Sequence, residues 1–368
     1  MDPKRRFTIL AKAKKPDNMD HIYQRSVKSF PTPITEPRLS YGFETNTEPK
    51  LIALLSDPSE EKRLSSLSLL YTHIANHEKI IRVLQFGIMD PLVVLLKDEN
   101  PVARQRSAAI LSRIAVVHVG VESILKHETA FNVILSCVKD ENADICVTVH
   151  SIINLICSTM FVENAVERGV IPVLIQALPS ATSDGQLLAL DSLYSCCERM
   201  ESAIHISIEE GLVALLVALF KQIDGVTAEV IERAASVLTV ISGHVDGKRV
   251  AIEDGSVEVL VNILKEKKIE TRTTINILES LMAITTNLDG QRIAVECGLC
   301  EILMETVQNE HPQLTLNSIK TIANLAINPA GRERLQGVLP SLRLLSSLPD
   351  LLIAESAREA ITRVEWVP

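Results

Sequence analysis

The sequence predicts an all-α solenoid, a chain of about eight similar three-helix repeats behind an irregular N-terminal tail. Three observations carry this reading. A glycine is followed five residues later by leucine, in phase, at Gly87 and Leu92, Gly169 and Leu174, Gly211 and Leu216, Gly255 and Leu260, Gly298 and Leu303, and Gly337 and Leu342. The tetrapeptide Lys-Asp-Glu-Asn is written twice, from Lys97 and from Lys139, 42 residues apart. The 368 residues are 46% hydrophobic but only 3% aromatic, so the core is built of Leu, Ile, Val and Ala. Such side chains suit many small, similar helix contacts better than one large aromatic-centred core.

The tail, residues 1–44, stands outside the period. Pro3, Pro16, Pro31, Pro33 and Pro37 make it extended or irregular. It holds nine Lys and Arg against five Asp and Glu, while the whole chain carries −9 and the remainder therefore −13. Lys4, Arg5, Arg6, Lys12, Lys14 and Lys15 are its candidate contact residues. The tail is either disordered or an arm that orders on a partner, and both readings stay open. An acidic body argues against general nucleic-acid binding. No apolar run approaches bilayer length, and the N-terminus lacks the apolar core of a secretory signal, so a cytoplasmic chain without a membrane partner is expected.

The array, 45–368, begins near Asn46, where Leu51 aligns with Leu92. Further repeats start near Gly87, Thr129, Gly169, Gly211, Gly255, Gly298 and Gly337, the last one short. From Gly169 the spacings are 42, 44, 43 and 39, and the 82 residues between Gly87 and Gly169 hold two repeats. In the unmarked one, Thr129 stands for the glycine and Ile134 for the leucine. Each repeat opens with an apolar helix (LVVLLK, LIQALP, LVNILKE), passes a polar turn, and continues as a longer helix such as ARQRSAAILSRIA or AEVIERAASVLTVIS. The two Lys-Asp-Glu-Asn copies occupy that turn in successive repeats. A short third segment, nearly duplicated as DGKRVAIEDG and DGQRIAVECG, leads to the next glycine. Its Asp-Gly is expected to end one helix and restart another. Its closing glycine is expected to sit left-handed, or too closely packed for a Cβ. No strand pattern appears.

A three-helix unit of this length with this glycine resembles the armadillo repeat. The resemblance implies units that cannot bury their apolar faces alone and stack into a right-handed superhelix with a concave groove. The long third helices would line that groove. Their ladder position carries His73, Arg113, Asn154, Ser195, Val240, Ala283, Asn324 and Arg363. The polar members, His73, Arg113, Asn154, Ser195, Asn324 and Arg363, are the candidate partner-binding residues. In nuclear-import armadillo adaptors the ladder is Asn-rich, with Trp one turn earlier, and clamps an extended basic peptide. Here Asn stands only at 154 and 324, and no Trp precedes Trp366.

Catalytic and metal chemistry is hard to find. The seven cysteines, an odd number mostly in apolar periodic stretches, read as free thiols in a reducing compartment. Cys297-Gly298-Leu299-Cys300 has the spacing of half a zinc site, but no second pair exists, and Gly298 is the repeat glycine. Cys196-Cys197 stands where Ile114-Ala115 stands, at core positions. His73 and His77 are placed to share a helix face, with no third ligand at metal spacing. No phosphate-cradling loop, nucleophile elbow or HExxH occurs. A non-enzymatic chain without cofactor or metal is expected.

The ends of the array narrow the resemblance. SYGFETNTEPKLIALLSD (40–57), HVGVESILKHE (118–128) and SAREAITRVEWVP (356–368) resemble the radial spoke head protein 14 family, armadillo proteins of motile cilia. That resemblance, from about residue 40 to the end, implies a structural subunit of the axonemal radial spoke, located on the cytoskeleton of the cilium or flagellum. Its partners would be other spoke or axonemal proteins. The alternative is a soluble armadillo adaptor holding extended peptide segments in its groove.

Overall fold

The computed structural model describes residues 47–222, 225–266 and 269–367. The tail, 1–44, with Lys4, Arg5, Arg6, Lys12, Lys14 and Lys15, lies outside the described residues, as does Asn46. The described residues form helices joined by short turns, with no strand among them, consistent with an α-solenoid. They fall into two compact units that divide after Leu155.

In the N-terminal unit the helices are α1 (Thr47–Leu54), α2 (Glu60–His73), α3 (His77–Gln85), α4 (Met89–Leu95), α5 (Pro101–Ala115), α6 (His118–Lys126), α7 (Ala130–Ser136) and α8 (Ala143–Cys157), the division falling within α8. The C-terminal unit holds α9 (Val162–Glu167), α10 (Val170–Ala177), α11 (Ser183–Arg199), α12 (Glu201–Glu209), α13 (Leu212–Lys221), α14 (Ala228–Gly243), α15 (Val245–Glu253) and α16 (Ser256–Lys265). It continues with α17 (Thr271–Ile284), α18 (Leu288–Glu296), α19 (Leu299–Thr306), α20 (Pro312–Leu325), α21 (Pro329–Arg334), α22 (Leu339–Leu345) and α23 (Leu351–Val364). Among the described residues no single helix is long and apolar enough to cross a membrane.

The leucine of each in-phase step points into the core. Leu92, Leu174, Leu216, Leu260, Leu303 and Leu342 are fully buried, and so is Ile134. Long helices pack on the next long helix: α2 on α5 in one unit, and α11, α14, α17, α20 and α23 in series in the other.

Two kinds of glycine do different work. Gly87, Gly169, Gly211, Gly255 and Gly298 adopt φ of 74–81° and turn a short helix into the next apolar one. Space is not their reason, since a Cβ on Gly87, Gly169 or Gly211 would touch nothing within 4 Å. Gly337 differs from that expectation: it lies in a 3-10 turn, Leu335–Val338, and is not among the positive-φ glycines. Thr129 needs no left-handed backbone either (φ −118°), because the Nδ1 of His127 accepts from the Thr129 and Ala130 N–H groups and caps α7.

Close packing belongs to the other glycine. Asp246-Gly247 and Asp289-Gly290 do not end helices but lie in the first turns of α15 and α18. A Cβ on Gly247 would stand 2.1 Å from the carbonyl oxygen of Ile241, and on Gly120 1.8 Å from that of Ile114. The short helix therefore crosses directly over the end of the long one.

Candidate functional site

The turn before each long helix of the N-terminal unit is a built device. Asp98 Oδ1 accepts from the Asn100 N–H (2.8 Å), and Asn100 Oδ1 accepts from the Val102 N–H (2.8 Å), capping α5. Asp140 and Asn142 repeat the arrangement before α8. Six residues after Asp98, Arg104 donates to the Asp98 carbonyl (3.0 Å) and forks onto both Asp140 oxygens (2.8 and 3.0 Å). Arg63 does the same one turn-device earlier, donating to the Asp57 carbonyl and to Asp98. Burial alone would raise the Asp140 carboxyl, but the bonds from Arg104 hold it below its ordinary value. The repeated tetrapeptide is thus a turn and a docking point for the arginine of the preceding long helix.

The ladder residues are placed as follows. In the N-terminal unit, His73 Nε2 pairs with Glu48 Oε1 (3.0 Å), which also accepts from Arg82 (3.3 Å to Oε2). Burial would raise Glu48, yet these two partners keep it lowered. His73 closes α2 and His77 opens α3, so the pair does not share a helix face as expected. Arg113 donates to the Tyr71 carbonyl, 42 residues upstream, at 2.8 Å, and its guanidinium stacks 3.6 Å above the Tyr71 ring. Asn154 is buried. In the C-terminal unit Ser195 is half-buried. Asn324 donates to the Met282 carbonyl (3.1 Å), again 42 residues upstream. Arg363 donates to the Ala323 carbonyl (3.0 Å) and to Glu359 (2.6 Å).

Arg113, Asn324 and Arg363 therefore spend donors on the main chain of the preceding long helix. The sequence reading missed two further residues of this kind. Arg106 donates to the Leu64 carbonyl (2.8 Å) and Asn317 to that of Ile275 (3.4 Å), each across 42 residues. Their spacing was visible in the sequence; their direction was not.

On the long-helix face of the C-terminal unit the charges are paired. Arg233 on α14 meets Asp191 on α11 at 2.5 Å and lies 5.5 Å over the Tyr194 ring, whose hydroxyl donates to Glu198 (3.1 Å). Burial raises the Asp191 carboxyl against the pull of Arg233 and pushes Tyr194 up to about 12. Burial also raises Glu279, against the charge of Lys320. This is a partly dry, internally neutralised strip on which a partner's charges would interact strongly.

Cys197, Cys297 and Cys300 offer no ready thiolate. Burial pushes Cys300 up to about 11 and raises Cys297, and Cys197 is pushed up to about 12. Among the described residues one cluster of metal-ligating type does form, from Glu201, His205 and His244. Sequence spacing hid it, because His244 lies 43 residues from Glu201.

No family model matches the chain. Two solved structures described as engineered proteins share its fold. One is 20% identical with a TM-score of 0.72, covering 86% of this chain and 78% of its own. The other is also 20% identical, with a TM-score of 0.58, covering 64% of this chain and 96% of its own. At this identity the likeness concerns the fold alone.

Proposed function

We propose that this chain is a non-enzymatic docking scaffold of about eight armadillo-type repeats, serving as a structural subunit of the radial spoke in motile cilia. The observation that carries the scaffold reading is the use of the ladder donors. Arg113, Asn324 and Arg363 are bonded to main-chain carbonyls about 40 residues upstream. Donors committed in this way fix the spacing between successive long helices and are withdrawn from clamping a peptide backbone. That disfavours the peptide-adaptor alternative on the same residues.

Exposed apolar side chains supply contact area. Leu344, Leu351 and Leu352 stand 73%, 67% and 47% exposed on α22 and α23. The axonemal part of the reading rests on the resemblance of 40–57, 118–128 and 356–368 to the spoke-head family.

The test is cell biological. In ciliated cells the tagged chain should remain with demembranated axonemes after salt extraction, and its deletion should remove or shorten radial spokes. Recovery of the whole pool in the soluble fraction, with intact spokes in the deletion strain, would refute the axonemal assignment.

A further inference from the structure

Glu201 and His205 lie one turn apart on α12, and His244 is the N-cap residue of α15. Glu201 Oε1 stands 3.0 Å from Nε2 of His244 and 4.0 Å from Nε2 of His205. The two imidazoles meet edge to face with centroids 4.9 Å apart. One ligand atom from each of the three residues lies within 4.8 Å of the others.

The short helices begin in two ways: Val117, Phe161 and Met200, at the N-caps of α6, α9 and α12, make no side-chain cap, and His244 is of this kind. Asn76, Asn287 and Asn328 occupy the corresponding N-caps of α3, α18 and α21, and each accepts a first-turn N–H with its side chain. His244 makes no side-chain cap, forgoing roughly 1 kcal/mol of helix stabilisation. Its Nδ1 is buried with no hydrogen-bond partner, and its Nε2 faces α12. A bond to Glu201 accounts for one imidazole. It does not account for the second, because 4.0 Å is too long for a hydrogen bond from His205.

We propose that Glu201, His205 and His244 form a binding site for a divalent transition-metal ion, zinc being the best match, which ties α12 to α15. Two imidazole nitrogens and one carboxylate oxygen are zinc ligands, whereas calcium and magnesium take oxygen. Bonds of about 2.0–2.2 Å at tetrahedral angles put ligand atoms roughly 3.3 Å apart. The observed separations lie on either side of that value. Glu201 and His205, 74% and 47% exposed, are free to close the difference, while His244, at 24%, is held in place. The fourth position opens to solvent, where water or a side chain of a docked protein completes the shell. The ion would join segments 43 residues apart and stabilise the array where a neighbouring helix pair relies on an asparagine cap.

Titration of the full chain with zinc chloride tests this. The expected result is one ion per chain with a dissociation constant on the order of micromolar, and a raised thermal midpoint. Cobalt(II) should give the visible bands of a tetrahedral site, without the near-ultraviolet thiolate band that the seven cysteines would produce. His205→Ala and His244→Asn should each weaken binding at least about tenfold, the loss seen even for an outer-shell partner. His244→Asn installs the residue that caps the matching helices, so its metal-free stability should hold or rise, which separates lost ligation from misfolding. Binding no tighter than about 100 µM overturns the proposal. So does an affinity unchanged in both variants, or a thiolate band on cobalt binding.

Discussion

His150 lies in α8, fully buried, with neither ring nitrogen hydrogen-bonded among the described residues. Burial drives its pKa from the ordinary 6.5 down to about 4, because the charged ring has no partner to replace water. The folded chain therefore keeps His150 neutral at pH 5, where the unfolded chain protonates it. Unfolding takes up a proton in this window, so stability is full above pH 6.5 and falls as the pH drops towards 4. The loss attributable to this one group is about 3 kcal/mol. His150→Leu, similar in size and without polar atoms, should flatten the difference between stability at pH 7 and at pH 4.5. Urea denaturation at both pH values reads it directly. If wild type and variant lose the same stability on acidification, the neutral buried imidazole is not the cause. Nothing in HSIINLIC marks the histidine as unpartnered; the sequence places it on a helix, and only the packing removes its water.

At the scale of the helix, the two glycine classes predict opposite sensitivities. Gly87→Ala meets open space and has only the left-handed backbone to resist, a cost of about 1–2 kcal/mol. Gly247→Ala has an ordinary backbone but drives a Cβ to 2.1 Å from the Ile241 carbonyl oxygen. Backbone cannot swing aside as a side chain can, so α15 must lift off α14, at about 3 kcal/mol. Chemical denaturation of the two single variants should rank Gly247→Ala as the more damaging, and the reverse order would mean that the crossing is looser than the distance implies. The left-handed class was legible, since a glycine recurring ahead of an apolar run is the mark of a backbone need. The close-packed class was misread, because Asp-Gly looks like a break and its real constraint is a carbonyl six residues upstream. The long helices, and the buried in-phase leucines of the shorter helices that precede them, were legible from period alone. The Arg104–Asp140 fork was not, although Asp140 belongs to the second copy of the tetrapeptide and Arg104 follows the first: phase tells which positions correspond, not which side chains reach across. For the same reason the Glu201–His205–His244 cluster was invisible, Glu201 and His244 falling at the starts of successive short helices.

For the molecule as a whole, stability should follow neighbours in the chain. Among the described residues of the C-terminal unit, each long helix packs mainly on the one before and the one after. The links are local too: Ser280 donates to the Ala235 carbonyl (2.8 Å), Thr273 to Glu232 (3.0 Å), and Asn324 to the Met282 carbonyl. Such an array is nearly one-dimensional, its free energy a sum over repeats and the interfaces between them. A lesion should therefore fade with distance along the chain instead of spreading evenly. Gly247→Ala, at the crossing of α14 and α15, is the natural probe. Native-state hydrogen exchange should show the greatest loss of protection in α14 to α17, less in α20, and least in α23, because each intervening interface absorbs part of the disturbance. The α14–α17 amides should also be among the slowest in the unaltered chain, since Ser280 and Thr239 bond to one another across that interface (2.9 Å). An even acceleration from Val162 to Val364 would mean that this unit opens all at once, as a globule with a single core does, and that its repeated helices are not the independent links their contacts describe.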